Sequence, residues 1–446
     1  MVLEMPVVNL YAAGIDIGDK EIVVALPEGV SAQRVHTFGT MTCDLHALAG
    51  LLTDCEIDTA AMESTGVYWK PLFSVLVEKG FEVYLANAAH VKNVSGRKDD
   101  ENDAMWLQKL HSCGLIKTSY LPDHEQEALR TLVRFRRTLV EDSSRFVNRI
   151  QKSLELMNIK FHTIIADITG VSGCAVVEAI IGGERKAENF LPLIDYRIKA
   201  SAGQIVKSLE GNYREEHLFT LSESYHMYLH YRQRIDRCDK EIEKHLQRFE
   251  ARDNEGELTP KQEVAEEVVP KKVKKKDRNA PKIKVRQYLQ KIHGVDVLEI
   301  FGLNETGALE LLAETGTDLS KWKTEKHFVS WLNLCPNNKI SGGKIISSRL
   351  QRKRPNAGSH AFRRAANSVQ RSNHWLGDYF RRMKAKGGNK YAIIATANKL
   401  ATIYYKMVRY KQPFMPVDLG EYQQKYKQAK IAYLERKLNQ LKKDVA

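Results

Sequence analysis

An aspartate lies in the middle of a segment that has the pattern of a β-strand. In residues 11–26, YAAGIDIGDKEIVVAL, Asp16 stands between Ile15 and Ile17, and after a short turn a second apolar run follows. This pattern predicts a β-hairpin whose first strand carries an acid at its centre. A carboxylate in a central strand is costly unless a cation neutralises it, and a divalent metal is the usual solution. Asp16 therefore constrains both the fold and the chemistry.

The segment 11–120 alternates predicted strands and helices. After the hairpin come strand 33–40, helix 44–53, strand 57–62, helix 68–78, strand 81–86 and helix 99–110. The order βββαβαβα, with antiparallel strands first and parallel strands after, is that of an RNase H-like domain. Open α/β sheets place their sites at the carboxyl ends of strands, and Glu63 lies at such an end.

Two more acids, Asp100 and Asp103, lie on the last of these helices, and their spacing of three places them on one helix face. Taken alone, this pair is also typical of a solvated helix N-terminus. Together with Asp16 and Glu63, it indicates hard oxygen ligands for two Mg²⁺ or Mn²⁺ ions about 4 Å apart, which would clamp the attacking and leaving oxygens of a phosphodiester. The sequence therefore predicts metal-dependent phosphoryl transfer.

The composition favours a polyanionic partner. The chain has 446 residues, 69 Lys and Arg against 55 Asp and Glu, and a formal net charge of +14. Nucleic acid is the simplest partner for such a charge, although a basic protein without one has the same composition. The six cysteines have no zinc-site spacing, and neither a leader nor an apolar span is evident. We expect a cytoplasmic protein that does not enter the membrane.

The rest of the chain is predicted to be mostly helical. Residues 125–159 carry a coiled-coil-like apolar stripe that Arg136 and Ser143 interrupt, and the arginines of this helix would contact phosphates or solvate its outer face. A charged segment at 252–284 has no apolar period and predicts a disordered or extended linker. The predicted division is a catalytic domain 1–120, a helical coiled-coil region 121–251, a charged linker 252–284, a C-terminal domain 285–415 and a lysine-rich helical tail 416–446.

A second candidate site lies in the C-terminal domain. Ser341 begins a predicted tight turn, Ser-Gly-Gly, between two apolar runs. Seven cations follow, and they are the candidate nucleic-acid contacts: Lys344, Arg349, Arg352, Lys353, Arg354, Arg363 and Arg364. A hydroxyl on an exposed turn among cations is well placed to meet a phosphate, although such a turn is also typical of a plain binding surface.

Several of these motifs resemble one known family. GIDIG with Asp16, MESTG with Glu63, and the spacing Lys98-x-Asp100-x-x-Asp103 resemble the DEDD transposases of the insertion sequence 110 family, relatives of the Piv DNA invertase. The later segment LAETGTDLSKWKTEKHFVSWLNLCPNNKISGGKIISSR is similar to that family's C-terminal transposase domain, especially in the insertion sequence 1111 subgroup. The resemblance covers residues 11–250 and 285–410.

The resemblance implies a site-specific DNA recombinase. Its RuvC-like domain would hold Mg²⁺ on the four acids, and Ser341 from a partner protomer would attack the scissile phosphate to give a phosphoserine–DNA link. Ser347 and Ser348 are nearby substitutes. The resemblance further implies dimers that assemble into tetramers on donor and target double-stranded DNA, guidance by a structured non-coding bridge RNA, and a prokaryotic, nucleoid-associated protein.

Two other functions remain open from the residues. A metal-dependent, structure-specific DNA nuclease, similar to a Holliday-junction resolvase, would hydrolyse with water in place of serine. A non-catalytic nucleic-acid-binding protein is disfavoured because all four acids are present. The substitution Ser341→Ala separates the first of these from a serine recombinase.

Overall fold

The computed structural model describes residues 6–63, 66–86, 100–116, 122–255, 277–350 and 356–445. The chain divides into two compact units, Met1–Leu121 and Pro122–Ala446. The domain bounds that the sequence suggested stay predictions.

The first unit contains a five-stranded sheet. Its described elements are β1 (Ala12–Ile17), β2 (Glu21–Ala25), β3 (Val35–Gly39), α1 (Thr42–Asp54), β4 (Thr59–Glu63), α2 (Trp69–Glu78), β5 (Glu82–Ala86) and α3 (Asp100–Ser112). The strand order is β3-β2-β1-β4-β5; β1 and β3 pair antiparallel with β2, while β4 pairs parallel with β1 and β5. The predicted order of strands and helices is confirmed, with ends that differ by a residue or two.

The two faces of this sheet are covered differently. One face carries the apolar core, in which Ile15 of β1 and Met62 of β4 pack with Leu48 of α1 and Leu72 of α2. Side chains two residues apart in a strand share a face, so Gly14 and Asp16 point to the other side, which α3 covers.

The second unit is mostly helical. Its described elements are α4 (His124–Leu156), α5 (Val171–Ile181), α6 (Ala202–Leu209), α7 (Glu215–Glu255), α8 (Val285–His293), α9 (Glu305–Thr315), α10 (Glu325–Trp331), β6 (Asn337–Ser341), β7 (Lys344–Arg349), α11 (Ala357–Ser368), α12 (Trp375–Tyr410) and α13 (Leu419–Val445). The long helices α4 and α7 pack together, and parts of both join α8–α12 in one large core. In the described part of the chain, no helix is long and apolar enough to cross a membrane.

The prediction for Arg136 on α4 is wrong. Arg136 neither contacts solvent nor lies on the outer face, because it is buried and its Nε donates to Asp239 Oδ1 of α7 at 2.5 Å. Ser143 is also buried within the stripe that it was expected to interrupt. Arg136 is therefore part of the buried stripe of α4, and its charge is neutralised inside the protein by Asp239.

Both ends of the predicted linker 252–284 lie within the described residues. Helix α7 continues to Glu255, and residues 277–284 are held against the long helices. Arg136 Nη2 donates to the Asn279 carbonyl at 3.0 Å, and the Lys282 backbone N–H donates to Asp239 Oδ2 at 3.0 Å. Arg278 Nη1 donates to Thr169 Oγ1 at 2.7 Å. The predicted disorder therefore does not apply to 277–284, and residues 256–276 lie outside the described part.

Candidate metal centre and candidate serine hairpin

Asp16 occupies the central strand of the sheet, as the sequence predicted. It lies on β1 between buried Ile15 and Ile17, and its own side chain is half-buried. In the register of the hairpin, Asp16 is opposite Val23 of β2. A carboxylate is therefore placed in the interior of the sheet, where few side chains of this type are found.

Glu63 is the last residue of the neighbouring parallel strand. The register pairs Ile15 of β1 with Met62 of β4, so one further step sets Glu63 beside Asp16. Residues at paired positions of neighbouring strands point to the same face of a sheet. The two half-buried carboxylates thus share the face that α3 covers.

Helix α3 packs directly on the backbone of β1. A Cβ added to Gly14 would lie 2.2 Å from the Gln108 nitrogen and 2.3 Å from the Ala104 oxygen. Val23, which is opposite Asp16, packs against Ala104 as well. The glycine therefore permits a close approach that brings α3 over the face of Asp16.

The direction of α3 follows from its hydrogen bonds. Gln108 Nε2 donates to the Ala12 carbonyl at 3.2 Å, and the Val8 N–H donates to the Ser112 carbonyl at 2.7 Å. The helix therefore runs opposite to β1, and its first turn is at the end of the strand where Asp16 lies. This first turn carries Asp100 and Asp103.

A buried histidine fixes the other end of α3. The His111 ring lies 2.9 Å through Nε2 from Thr59 Oγ1 of β4, and Thr59 Oγ1 donates to the Glu82 carbonyl at 2.8 Å. Burial lowers the pKa of His111 to about 4, so the ring is neutral at neutral pH. Sequence reasoning missed both His111 and Gly14, although a glycine inside a predicted strand is a signal for the close approach of another backbone.

The donor chemistry of this face fits a divalent metal. Carboxylate oxygens are the ligands that Mg²⁺ and Mn²⁺ prefer, and the elements that carry Asp16, Glu63, Asp100 and Asp103 meet on one side of the sheet. Among the side chains that the structure describes, no group of three or more His, Cys, Asp or Glu is arranged to hold a metal ion. The Asp100 side chain lies outside that part, and the four-acid site stays a prediction.

Ser341 ends the first strand of an exposed two-stranded hairpin. Ser341 of β6 is paired with Lys344 of β7 across Gly342 and Gly343, whose φ angles are 55° and 75°. A two-residue turn with positive φ at both positions strongly favours glycine. The predicted tight turn is confirmed, and Ser341 is exposed.

The register sorts the side chains of this hairpin onto two faces. Ser341 shares its face with Lys339, two residues before it, and with their cross-strand partners Lys344 and Ser347. Arg349, paired with Asn337, continues the same face. Sequence reasoning missed Lys339, for which alternation along β6 is the signal.

The opposite face of the hairpin is apolar near its tip. It carries the cross-strand pair Ile340 and Ile345, which are 63% and 61% exposed. Ser348 also lies there and donates through Oγ to Asn338 Oδ1 at 2.8 Å. Of the two substitute serines, only Ser347 therefore shares the face of Ser341.

The remaining predicted cations differ in their surroundings. Arg364 of α11 forms an ion pair with Glu310 of α9, whose side chain is nearly buried. Arg363 is half-buried, and burial lowers its pKa. Arg352, Lys353 and Arg354 lie outside the described residues. Between Glu325 and Asp378 the sequence has no acidic residue, so the hairpin and α11 form one basic stretch.

The chain matches family models in both of its units. Residues 13–159 match a model of DEDD transposases of the IS110 type, described as a transposase, and residues 296–381 match one described as the transposase IS116/IS110/IS902 family. None of the curated proteins compared with the chain is significantly similar to it.

The fold agrees with these matches. A mixed α/β sheet followed by a mostly helical remainder fits a DEDD transposase domain. The fold and the matches support a transposase, an enzyme that acts on DNA. The matched models are those of IS110 transposases, and they support an insertion-sequence transposase.

Proposed function

We propose that the chain is a site-specific DNA recombinase that cuts and joins strands with a divalent metal and a serine nucleophile. Asp16, Glu63, Asp100 and Asp103 are the proposed ligands of Mg²⁺ or Mn²⁺ in a RuvC-like domain, and Ser341 is the proposed nucleophile. The observation that carries the proposal is the shared face of the sheet, where Asp16, Glu63 and the first turn of α3 meet.

In the proposed reaction, Ser341 Oγ attacks the phosphorus of a DNA phosphodiester. One deoxyribose oxygen leaves and takes up a proton, the serine hydroxyl gives up its proton, and a phosphoserine link forms. The hydroxyl of another strand then displaces Ser341 Oγ, which regains a proton as the new phosphodiester forms. A bound divalent metal supplies Lewis-acid polarisation of the phosphate oxygens and lowers the barrier for a weak nucleophile.

The cationic residues beside Ser341 support this assignment. Lys339, Lys344 and Arg349 lie on its face of the hairpin, where they can donate to the phosphate oxygens on which charge develops. Among the described residues, none of these three forms an ion pair. Their charges are therefore available to a phosphate group.

The proposal includes the partners that the family resemblance implies. Donor and target double-stranded DNA would be held by dimers that assemble into tetramers, with a bridge RNA as the guide. The DNA sequence would then be recognised by base pairing with the RNA, and the protein would contact mainly the sugar-phosphate backbone. The net charge of +14 is consistent with phosphate contacts to both nucleic acids.

A covalent-trapping assay tests the nucleophile. Full-length protein, RNA from the flank of its element, end-labelled junction DNA and Mg²⁺ are incubated, denatured and separated on a gel. We expect an adduct of protein and DNA for the wild type and for Ser348→Ala, the control on the opposite face, and none for Ser341→Ala. An adduct lost only in Ser347→Ala would move the nucleophile to that residue.

Other outcomes of the same assay distinguish other functions. Cleaved DNA without any adduct, unchanged in Ser341→Ala, would replace the proposal with a hydrolytic, junction-resolving nuclease. Omitting the RNA tests the guide: equal reaction with and without it would refute guidance but leave the serine assignment intact.

A charge-neutral substitution tests the metal site. Asp16→Asn removes one ligand charge at constant volume, so we expect strand transfer to be lost while the circular dichroism spectrum is retained. Asp19→Asn, at the exposed turn of the same hairpin, is the matched control and should remain active. Wild-type activity of Asp16→Asn would contradict the metal-site assignment.

A further inference from the structure

The first part of the C-terminal helix α13 is anchored to the second unit. Tyr422 and Tyr426 lie under the guanidinium of Arg382 on α12, with 4.7 Å and 3.8 Å between Cζ and the ring centroids. Leu419 and Tyr422 also pack against the large core. This contact fixes where α13 leaves the body of the second unit.

The second part of α13 carries large apolar side chains that remain exposed. Ile431 is 55% exposed, and Leu434 and Leu438 are each 52% exposed. Most of the stability of a helix in a protein comes from the packing of its apolar face, so a helix with an exposed apolar stripe is stabilised by a packing partner.

This stripe has the spacing of a coiled coil. Steps of three and four residues connect five positions, here called the C-terminal seam: Ile431, Leu434, Leu438, Leu441 and Val445. In a heptad Ile431, Leu438 and Val445 occupy a positions, and Leu434 and Leu441 occupy d positions, so two of the three a positions are β-branched. β-Branched residues at a and leucine at d favour a parallel pair of helices.

The seam does not continue the face that packs on the second unit. Tyr426 and Ile431 are five residues apart, and at about 100° per residue they point roughly 140° away from each other around the helix. The a and d positions before Ile431 hold Gln424 and Lys427, so the seam begins after the anchored part. The core that holds Tyr422 therefore leaves Ile431, Leu434 and Leu438 exposed.

We propose that the C-terminal seam pairs with the same seam of a second copy of this chain in a parallel two-stranded coiled coil. The aliphatic side chains of the seam occupy a and d positions, which fit one other helix, whereas docking into the groove of a globular partner requires a wider apolar face. The pairing depends on α13 alone and not on the recombinase chemistry proposed above. The seam also lies outside both matched segments, which end at residues 159 and 381.

Charged residues at the e and g positions, beside the seam, influence the stability of this pairing. In a parallel coiled coil, Lys430 at g of one helix faces Glu435 at e of the other, which is attractive. Lys437 at g faces Lys442 at e, which is repulsive. The charges therefore stabilise pairing of the two helices in the first heptad of the seam. In the second heptad the charges oppose pairing, and its apolar residues must stabilise the contact.

Sedimentation equilibrium of the full-length protein without nucleic acid tests the seam. We expect a dimer whose dissociation constant rises at least tenfold in Leu434→Glu. Tyr433→Glu is the matched control, because Tyr433 is the next residue, is 61% exposed and lies at an outer heptad position. An unchanged dissociation constant in Leu434→Glu, or an equal change in both variants, would refute the coiled coil.

Two further variants test the orientation and the register. In Ile431→Cys a parallel pair brings the two introduced thiols together, so mild oxidation should cross-link two copies at that position; absence of this link would refute the parallel arrangement. Lys442→Glu replaces a repulsive pair with an attractive one and should tighten the dimer about fivefold. Lys443→Glu, at the outward f position, should leave it unchanged, and an equal effect of the two would refute the register.

Discussion

Gly14→Ala is the perturbation that connects the fold of the first unit to its candidate site. The added Cβ would lie 2.2 Å from the Gln108 nitrogen and 2.3 Å from the Ala104 oxygen, both backbone atoms of α3. Such contacts are rarely closer than 3.0 Å, and backbone atoms cannot rotate away as a flexible side chain does. Helix α3 must therefore move away from β1 by about 1 Å.

The size of the effect follows from this displacement. Overpacking of a well-packed contact costs about 1–3 kcal/mol, and here the helix that must move is held at its far end by His111. The first turn of α3 carries Asp100 and Asp103, so its carboxylates move with respect to Asp16. A misplacement of about 1 Å in a catalytic arrangement costs about 10²-fold in rate.

Hydrogen exchange and activity measure the two effects in one variant. We expect faster exchange of amides in residues 12–17 and 100–112 of Gly14→Ala, weaker Mn²⁺ binding and about 10²-fold slower strand cleavage. Gly50→Ala is the control, because Gly50 lies in α1 and an added Cβ meets nothing within 4 Å. The free energy of unfolding of Gly50→Ala should rise by about 0.5–1 kcal/mol, because glycine destabilises the interior of a helix. Wild-type exchange and Mn²⁺ binding in Gly14→Ala would refute the close approach of α3.

Two further predictions concern stability. Arg136→Met leaves the Asp239 carboxylate buried without its cationic partner and should lower the free energy of unfolding by about 3–5 kcal/mol. The double variant with Asp239→Leu removes the buried charge and should recover part of this loss in thermal unfolding, because the Lys282 N–H and the Asn279 carbonyl then lose their hydrogen-bond partners. Because burial lowers the pKa of His111 to about 4, below about 6.5 in the unfolded chain, the unfolded chain binds more protons between these values. The free energy of unfolding should thus fall by up to about 3 kcal/mol as the pH drops from about 6.5 to 4, and His111→Gln should abolish this fall.

The local pattern of the sequence predicted most of the first unit. Alternation of apolar residues located the strands, and the two glycines after Ser341 predicted a turn that requires positive φ. These features depend on neighbours within a few residues. The pairing of Arg136 with Asp239 spans 103 residues, so the pattern along α4 showed only a charge in an apolar stripe.

The sequence indicated the residue types of the candidate site but not their arrangement. An acid flanked by isoleucines indicated the anchor Asp16, and the end of a parallel strand indicated Glu63. Their shared face depends on the strand register, and the position of α3 depends on the contact at Gly14. A glycine in a strand is equally typical of a bulge or a bend, so its packing role became visible only with α3 in place.

The basic residues of the second unit divide into two groups that the net charge does not distinguish. Arg134 donates to both carboxylate oxygens of Glu314, at 2.8 and 3.0 Å, and Arg364 pairs with Glu310, so these arginines hold α4 and α11 to α9. Lys339 and Lys344 have no acidic partner among the described residues and stand on an exposed hairpin. Counterions are released on DNA binding by cations that contact phosphates, so Lys339 and Lys344 should determine how DNA affinity depends on salt concentration. Arg134 and Arg364 should instead contribute to the free energy of unfolding.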